Sequence, residues 1–95
     1  MDKSPTTPQS ALDLIDFPER YPLKVFGHQH ENFESIVVEL VRARCPQAEH
    51  IEVSRRNSSK GKYIALTLHF TVYSRQQIID IYRDLYECEH VVMSL

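Results

Sequence analysis

Glycine, cysteine and tryptophan are scarce in this sequence, with two, two and none among 95 residues. The low glycine count excludes a collagen-like repeat. No apolar run approaches the roughly 20 residues of a membrane-spanning helix, and the N-terminus lacks the basic and apolar regions of a signal peptide. Two cysteines in a chain large enough to build a core fit a reducing compartment. We therefore expect a cytoplasmic protein.

A strong net charge is also absent. The formal charge is −2 with the histidines neutral, which is too small to attract the chain to DNA or to an anionic membrane. Hydrophobic residues make up 42% and charged residues 25%, as in ordinary globular domains. Residues 1–13, which begin with a Ser/Pro/Thr-rich stretch, predict a flexible tail. Residues 14–95 predict one domain, because a chain of this length holds a single core.

Apolar residues repeat with the periods of strands and helices along this domain. Alternation predicts four strands, at Tyr21–Phe26, Ile51–Ser54, Tyr63–Tyr73 and Val91–Leu95. Helical spacing predicts a helix from Phe33, with Asn32 as N-cap, to the stop at Pro46, and a second helix through Ile78 and Leu85 after a capping box at Ser74. The order βαββαβ predicts an α+β fold.

This order is typical of the ferredoxin-like split βαβ sandwich, in which a four-stranded antiparallel sheet carries two helices on one face. We expect the strand order 4-1-3-2, with right-handed crossovers. Cys45 ends the first helix and Cys88 follows the second. They therefore lie at opposite ends of the helical layer, beyond the roughly 7 Å between Cα atoms that a disulfide spans. The sequence predicts two free thiols.

Several short blocks are distinctive in combination: Asp16-Phe17-Pro18, Leu23-Lys24-Val25-Phe26-Gly27, Ser58-Ser59-Lys60-Gly61-Lys62-Tyr63 and a Val-Val-Met-Ser-Leu ending. From about Leu14 to Leu95 the chain resembles the YbeD-like family of small bacterial proteins. The resemblance implies a fold like the ACT regulatory domain, a small-molecule-sensing module of amino-acid biosynthetic enzymes, and no established activity. ACT domains that bind amino acids commonly have a glycine-rich turn after the first strand. Here Gly27 stands alone, which argues against amino-acid binding.

A basic hairpin is the first candidate site. The predicted topology brings the turn after the first strand and the hairpin between the second and third strands to one end of the sheet. Their polar groups are able to bind a carboxylate, a phosphate or an acidic partner surface. The candidate binding residues are Gly27, Arg55, Arg56, Ser58, Ser59, Lys60, Gly61 and Lys62. A solvated hairpin, with a positive φ at the glycine and serines bonded to their own backbone, is the more common structure for such a sequence.

Four residues with zinc-binding side chains fall at the same predicted end of the sheet: His28, His30, Cys88 and His90. Their spacing matches no known zinc motif. Five histidines in 95 residues will sometimes cluster by chance, and we consider chance the better explanation. The sequence implies no cofactor.

The sheet face turned away from the helices is the remaining candidate surface. It is predicted to display Lys24, Phe26, Tyr63, Thr67, His69, Thr71 and Tyr73, a mixture similar to the RNA-binding face of RRM domains. An RRM has an aromatic residue directly after the Lys-Gly pair, whereas this chain has Lys62 there. Such a face more often packs against another protein or sheet.

An enzyme is not predicted, because no serine, cysteine or carboxylate lies in a recognisable catalytic motif. The sequence instead predicts a non-catalytic binding or regulatory domain. Its expected partner is a small anionic metabolite or a protein, and the sequence leaves a homodimer open. RNA binding through the open sheet face is the alternative.

Overall fold

The structure is a computed structural model that describes residues 15–58 and 60–95. Its elements are β1 (Glu19–His28), α1 (Phe33–Arg44), β2 (Glu52–Asn57), β3 (Tyr63–Val72), α2 (Arg75–Glu87) and β4 (Val91–Ser94). The strands form one antiparallel sheet in the order β2-β3-β1-β4. The predicted fold class and strand order are confirmed. The predicted tail, residues 1–13, lies outside the described residues.

β3 is the central scaffold of the sheet. It pairs with β1 over ten successive residues, from Glu19 opposite Val72 to His28 opposite Tyr63. Every second side chain of β3 is buried against the helices, at 1% exposure or less: Ile64, Leu66, Leu68, Phe70 and Val72. The side chains between them point to the opposite, open face of the sheet, because neighbouring residues of a strand alternate sides.

The two helices cover one face of this sheet with their apolar sides. α1 buries Phe33, Val37 and Val41, and α2 buries Ile78, Ile81, Tyr82 and Leu85. The N-cap predicted at Ser74 is present, because the Ser74 hydroxyl accepts from the amide of Gln77. The Gln77 side chain accepts from the amide of Tyr73, one residue before the N-cap, so the second bond is displaced by one residue from that of a standard capping box. At the start of α1, Asn32 occupies the N-cap position without a side-chain cap; instead the Ser35 hydroxyl donates to the Asn32 carbonyl.

A two-point ion pair joins the helices on their outer surface. The Nε and Nη2 atoms of Arg44 donate to the two carboxylate oxygens of Asp84, at 2.6 and 3.1 Å. This hydrogen bonding and the charge of Asp84 raise the pKa of Arg44 above its ordinary value. Among the described residues, neither helix has the length and apolar character required to cross a membrane.

Both cysteines are free thiols, as predicted. Cys45 is fully buried beneath the end of α1, and Cys88 is partly exposed after α2. Burial raises the pKa of the Cys45 thiol, because a thiolate is poorly solvated there. Cys45 is therefore a packing residue of the core.

Gly27 is needed for the close packing of α1 on the sheet. It is buried near the end of β1, beside an irregularity in the β1–β4 pairing. A Cβ at this position would collide with the Phe33 ring and would lie 2.5 Å from the carbonyl oxygen of His90. The lack of a side chain at Gly27 therefore serves packing between β1, α1 and the residue before β4. This predicted binding residue is not exposed at the surface.

Candidate binding site on the open sheet face

The hairpin between β2 and β3 bonds its polar groups internally. The Ser58 hydroxyl accepts from the backbone amides of Lys62 and Tyr63, at 3.1 and 3.2 Å. The Gly61 amide donates to the Ser58 carbonyl, and Gly61 has a φ of 69°, a conformation that glycine adopts at little cost. Lys60 and Lys62 point into solvent. Ser59, the remaining hairpin candidate, lies outside the described residues.

The two candidate arginines lie on opposite faces of the sheet. β2 extends to Asn57, beyond the end predicted at Ser54, so both arginines belong to the strand and the hairpin is shorter than predicted. Arg55 lies on the helix side, with its Nη1 atom 4.0 Å from a Glu34 oxygen of α1. Arg56 pairs with Ala65 and lies on the open face. The basic residues predicted as one cluster are thus divided between the helix side, the open face and the hairpin tip.

The three histidines among the candidate zinc ligands make ring contacts. The rings of His30 and His90 lie 4.7 Å apart between centroids, and His28 lies 5.6 Å from the ring of Tyr63. The Nδ1 atom of His30 also accepts from the amide of Asn32. Within residues 15–58 and 60–95, no group of three or more histidine, cysteine or acidic side chains is arranged to hold a metal ion.

Short side chains create a depression on the open face. In the sheet register, Ser54, Thr67 and Lys24 form one cross-strand row, and Arg56, Ala65 and Phe26 form the next. Ser54, Ala65 and Thr67 leave space that the longer side chains of the two rows surround. The result is a cavity of about 440 Å³ lined by Lys24, Phe26, Ser54, Arg55, Arg56, Ala65, Leu66 and Thr67. We call it the basic depression.

A second, smaller cavity of about 170 Å³ adjoins the first. It shares Phe26, Arg56 and Ala65 with the basic depression and extends to Asn57, Ser58, Tyr63 and Ile64. We call it the apolar depression, because Phe26, Ala65 and Tyr63 present apolar side-chain surface to it on the open face. Tyr63 is 47% exposed.

The basic depression holds two positive charges, those of Lys24 and Arg56. Elsewhere on the open face, Arg20 is paired with Glu52 at 2.5 Å. Neither Lys24 nor Arg56 has an acidic partner in the part of the chain that the structure describes. A protein of formal charge −2 therefore presents a local positive field here.

An apolar strip along β4 borders the same face. Met93 pairs with Phe26, and Leu95 exchanges two backbone hydrogen bonds with Lys24, at 2.8 and 3.1 Å. Val92, Met93 and Leu95 are 40–44% exposed. β4 is an edge strand, so one side of its backbone has no neighbouring strand.

The sequence predicted Lys24, Phe26, Tyr63 and Thr67 on the open face, but it assigned Arg56 to the hairpin. A period-two count continued from Ser54 places Arg56 on the same face as Ser54. That signal was present in the sequence. The depressions themselves depend on which residues of β1, β2 and β3 stand opposite one another.

Fold and surface together define a small α+β protein of ferredoxin-like architecture. Its open sheet carries two cations that have no acidic partner among the described residues, beside exposed apolar side chains. A solved structure shows the same fold: the solution structure of protein HP0495 from H. pylori, with a TM-score of 0.71 and 17% sequence identity. The match covers 100% of this chain and 94% of that chain.

Residues 13–95 match a family model described as "Protein of unknown function (DUF493)". The chain belongs to this family. Relatives include a UPF0250 protein of Chromobacterium violaceum, 42% identical over 73 residues (77% of this chain and 82% of that protein). A UPF0250 protein of Neisseria gonorrhoeae is 38% identical over 90 residues (95% of this chain and 99% of that protein). The resemblance to the YbeD-like family is confirmed, and none of these descriptions names a catalytic activity.

Proposed function

We propose that this chain is a non-catalytic regulatory protein of the cytoplasm that binds a small anionic metabolite in the basic depression. The observation that carries the proposal is the pair of unpaired cations, Lys24 and Arg56, on two sides of one depression. Charge-assisted hydrogen bonds from such groups are about twice as strong as neutral ones. The volume of about 440 Å³ falls within the range of roughly 300–1,000 Å³ that is usual for small-molecule sites.

The lining of the depression favours binding over catalysis. General acid–base or nucleophilic chemistry needs a histidine, a carboxylate or an activated thiol or hydroxyl close to the ligand. The described residues that line the basic depression include no histidine, carboxylate or cysteine. Ser54 and Thr67 have hydroxyl groups, and the ionisable side chains that share this lining are the cationic groups of Lys24, Arg55 and Arg56. The groups present are suited to holding an anion.

Inorganic pyrophosphate is a suitable probe of this proposal. We expect its titration into ¹⁵N-labelled protein to shift the amide signals of Arg56, Ala65 and Thr67. The double variant Lys24→Gln/Arg56→Gln should bind pyrophosphate at least tenfold more weakly, because both cations that face the depression are removed. Dissociation constants from the NMR titrations measure this difference.

The double variant Lys60→Gln/Lys62→Gln is the matched comparison, because it removes the same charge from the hairpin tip. Tight binding by this variant together with weak binding by Lys24→Gln/Arg56→Gln supports the basic depression. The reverse pattern would place the anion at the hairpin and contradict the proposal. Absence of binding to the wild-type protein would also contradict it.

Docking on a partner protein is a second candidate function, favoured by the apolar strip along β4. Exposed methionine and aromatic side chains are enriched in protein interfaces, and an edge strand is able to pair with another chain. A photo-crosslinking residue at Met93 should give a discrete protein adduct in intact cells. The same residue at Glu39, which is exposed on α1, should not. Identical adducts at both positions, or none at Met93, would contradict docking at β4.

RNA binding through the open face has less support from the arrangement of its aromatic residues. Phe26 is opposite Ala65, and Tyr63 is opposite His28, so the two aromatic rings do not form a cross-strand pair. RNA-binding sheets stack successive bases on neighbouring aromatic side chains. We therefore favour a small anion as the ligand of this face.

A further inference from the structure

The basic and apolar depressions lie side by side on the open face. They share the side chains of Phe26, Arg56 and Ala65. Arg56 lies at the boundary, and Lys24 lines only the basic depression. The lining near Lys24 has cationic groups and hydroxyl groups, whereas the lining near Tyr63 is aromatic and aliphatic.

Two polar side-chain atoms at the apolar depression already have hydrogen-bond partners in β2 and in the adjoining hairpin. The Asn57 side-chain oxygen accepts from the Nε atom of Arg55, at 3.5 Å. The Ser58 hydroxyl accepts from the amides of Lys62 and Tyr63. A ligand group in this depression therefore meets mainly the apolar surfaces of Phe26, Ala65 and Tyr63.

A ligand that is only anionic would contact only the basic depression favourably, and a ligand that is only apolar would contact only the apolar depression favourably. A simple inorganic anion would leave the aromatic surface in contact with water, and burying apolar surface contributes about 25 cal/mol per Å². A neutral apolar molecule would leave Lys24 and Arg56 without a counter-ion. Arg56 is suited to contact both parts, because a guanidinium group bonds anions through its N–H groups and stacks on planar rings through its face.

We infer that the ligand is a free amphipathic anion, with one phosphate or carboxylate group and an aromatic or otherwise planar apolar body. The anionic group lies between Lys24 and Arg56, above the small side chains of Ala65 and Thr67. The body extends over Phe26 towards Tyr63. This inference rests on the proposed function and specifies the class of metabolite that the site recognises.

Three probes test the anionic group and the aromatic body of the ligand separately. 2-Naphthyl phosphate has both groups, inorganic phosphate has only the anionic group, and 2-naphthol has only the aromatic body. We expect 2-naphthyl phosphate to bind at least tenfold more tightly than either of the others in NMR titrations. Its shifts should include the amides of Tyr63 and Ala65, whereas those of inorganic phosphate should centre on Arg56 and Thr67. Lys24→Gln/Arg56→Gln should lower the affinity for both phosphates.

Two exposed tyrosines provide matched variants for the apolar depression: Tyr63 is the first residue of β3, and Tyr73 follows its last residue. Tyr63 is 47% exposed and Tyr73 is 43% exposed, so neither substitution removes a core side chain. Tyr63→Ala should weaken binding of 2-naphthyl phosphate at least threefold and leave binding of inorganic phosphate unchanged. Tyr73→Ala should change neither affinity.

The outcomes distinguish this inference from the proposed function. Equal affinities for 2-naphthyl phosphate and inorganic phosphate, both sensitive to Lys24→Gln/Arg56→Gln, would overturn the inference and leave the anion site in place. Equal losses with Tyr63→Ala and Tyr73→Ala would also overturn it. Failure of both phosphates to bind would overturn the proposed function as well.

Discussion

Replacement of Gly27 with alanine should lower the free energy of unfolding by about 2–3 kcal/mol, in the range expected for overpacking a filled core. The added methyl group would meet the ring of Phe33 and the carbonyl oxygen of His90. The ring is held at the start of α1 and is fully buried. The carbonyl accepts a hydrogen bond from the amide of His28, so relief of the collision requires backbone movement.

Urea unfolding monitored by circular dichroism measures the loss. For a domain of this size, 2–3 kcal/mol corresponds to a fall in melting temperature of roughly 8–24 °C. Gly61→Asn is the comparison, because Gly61 has a positive φ but open space around its Cα, and asparagine tolerates that conformation better than most residues. A loss at Gly27 no larger than that at Gly61 would contradict the packing role of Gly27.

The second large effect is expected for Leu66→Ala, which should cost about 2–5 kcal/mol. Leu66 is fully buried on the helix side of β3, and truncation leaves a cavity at the centre of the sheet. The next residue, Thr67, lies on the open face. Thr67→Val keeps the branched side chain and should change stability by less than about 1 kcal/mol.

Paired urea titrations of these two variants test the assignment of faces. The m-value should remain that of the wild type in both, because the surface exposed on unfolding is nearly unchanged. Similar losses for Leu66→Ala and Thr67→Val would show that β3 does not separate a core from an open face as described. The position of the basic depression would then be wrong.

The fold was predictable because its strongest signals are local. The alternation from Tyr63 to Val72 and the helical spacing from Phe33 to Val41 each specify one buried face, and the element order then restricts the topology to very few alternatives. The end of β2 was predicted too early, because Arg55 and Arg56 are polar. An edge strand can carry charged side chains on both faces, so its hydrogen bonding to β3 defines its length.

The site was less predictable because it depends on register. Ser54, Ala65 and Thr67 make the basic depression only because they are adjacent across β2 and β3. Lys24 and Arg56 face it from strands that are separated by β3. Gly27 was likewise predicted to contact a ligand, but the Phe33 ring of α1 packs against it. The shape of the depression, the positions of its two cations and the burial of Gly27 all depend on how distant segments pack together. A single sequence does not specify that packing.

The ten-residue ladder between β1 and β3 runs beneath the basic depression. Its backbone is ordered by the fold itself, so a ligand bound above it orders no additional segment of chain. Association then loses little backbone conformational entropy on the protein side, and more of the contact energy is expressed as affinity. The backbone beneath the basic depression is therefore preorganised for binding.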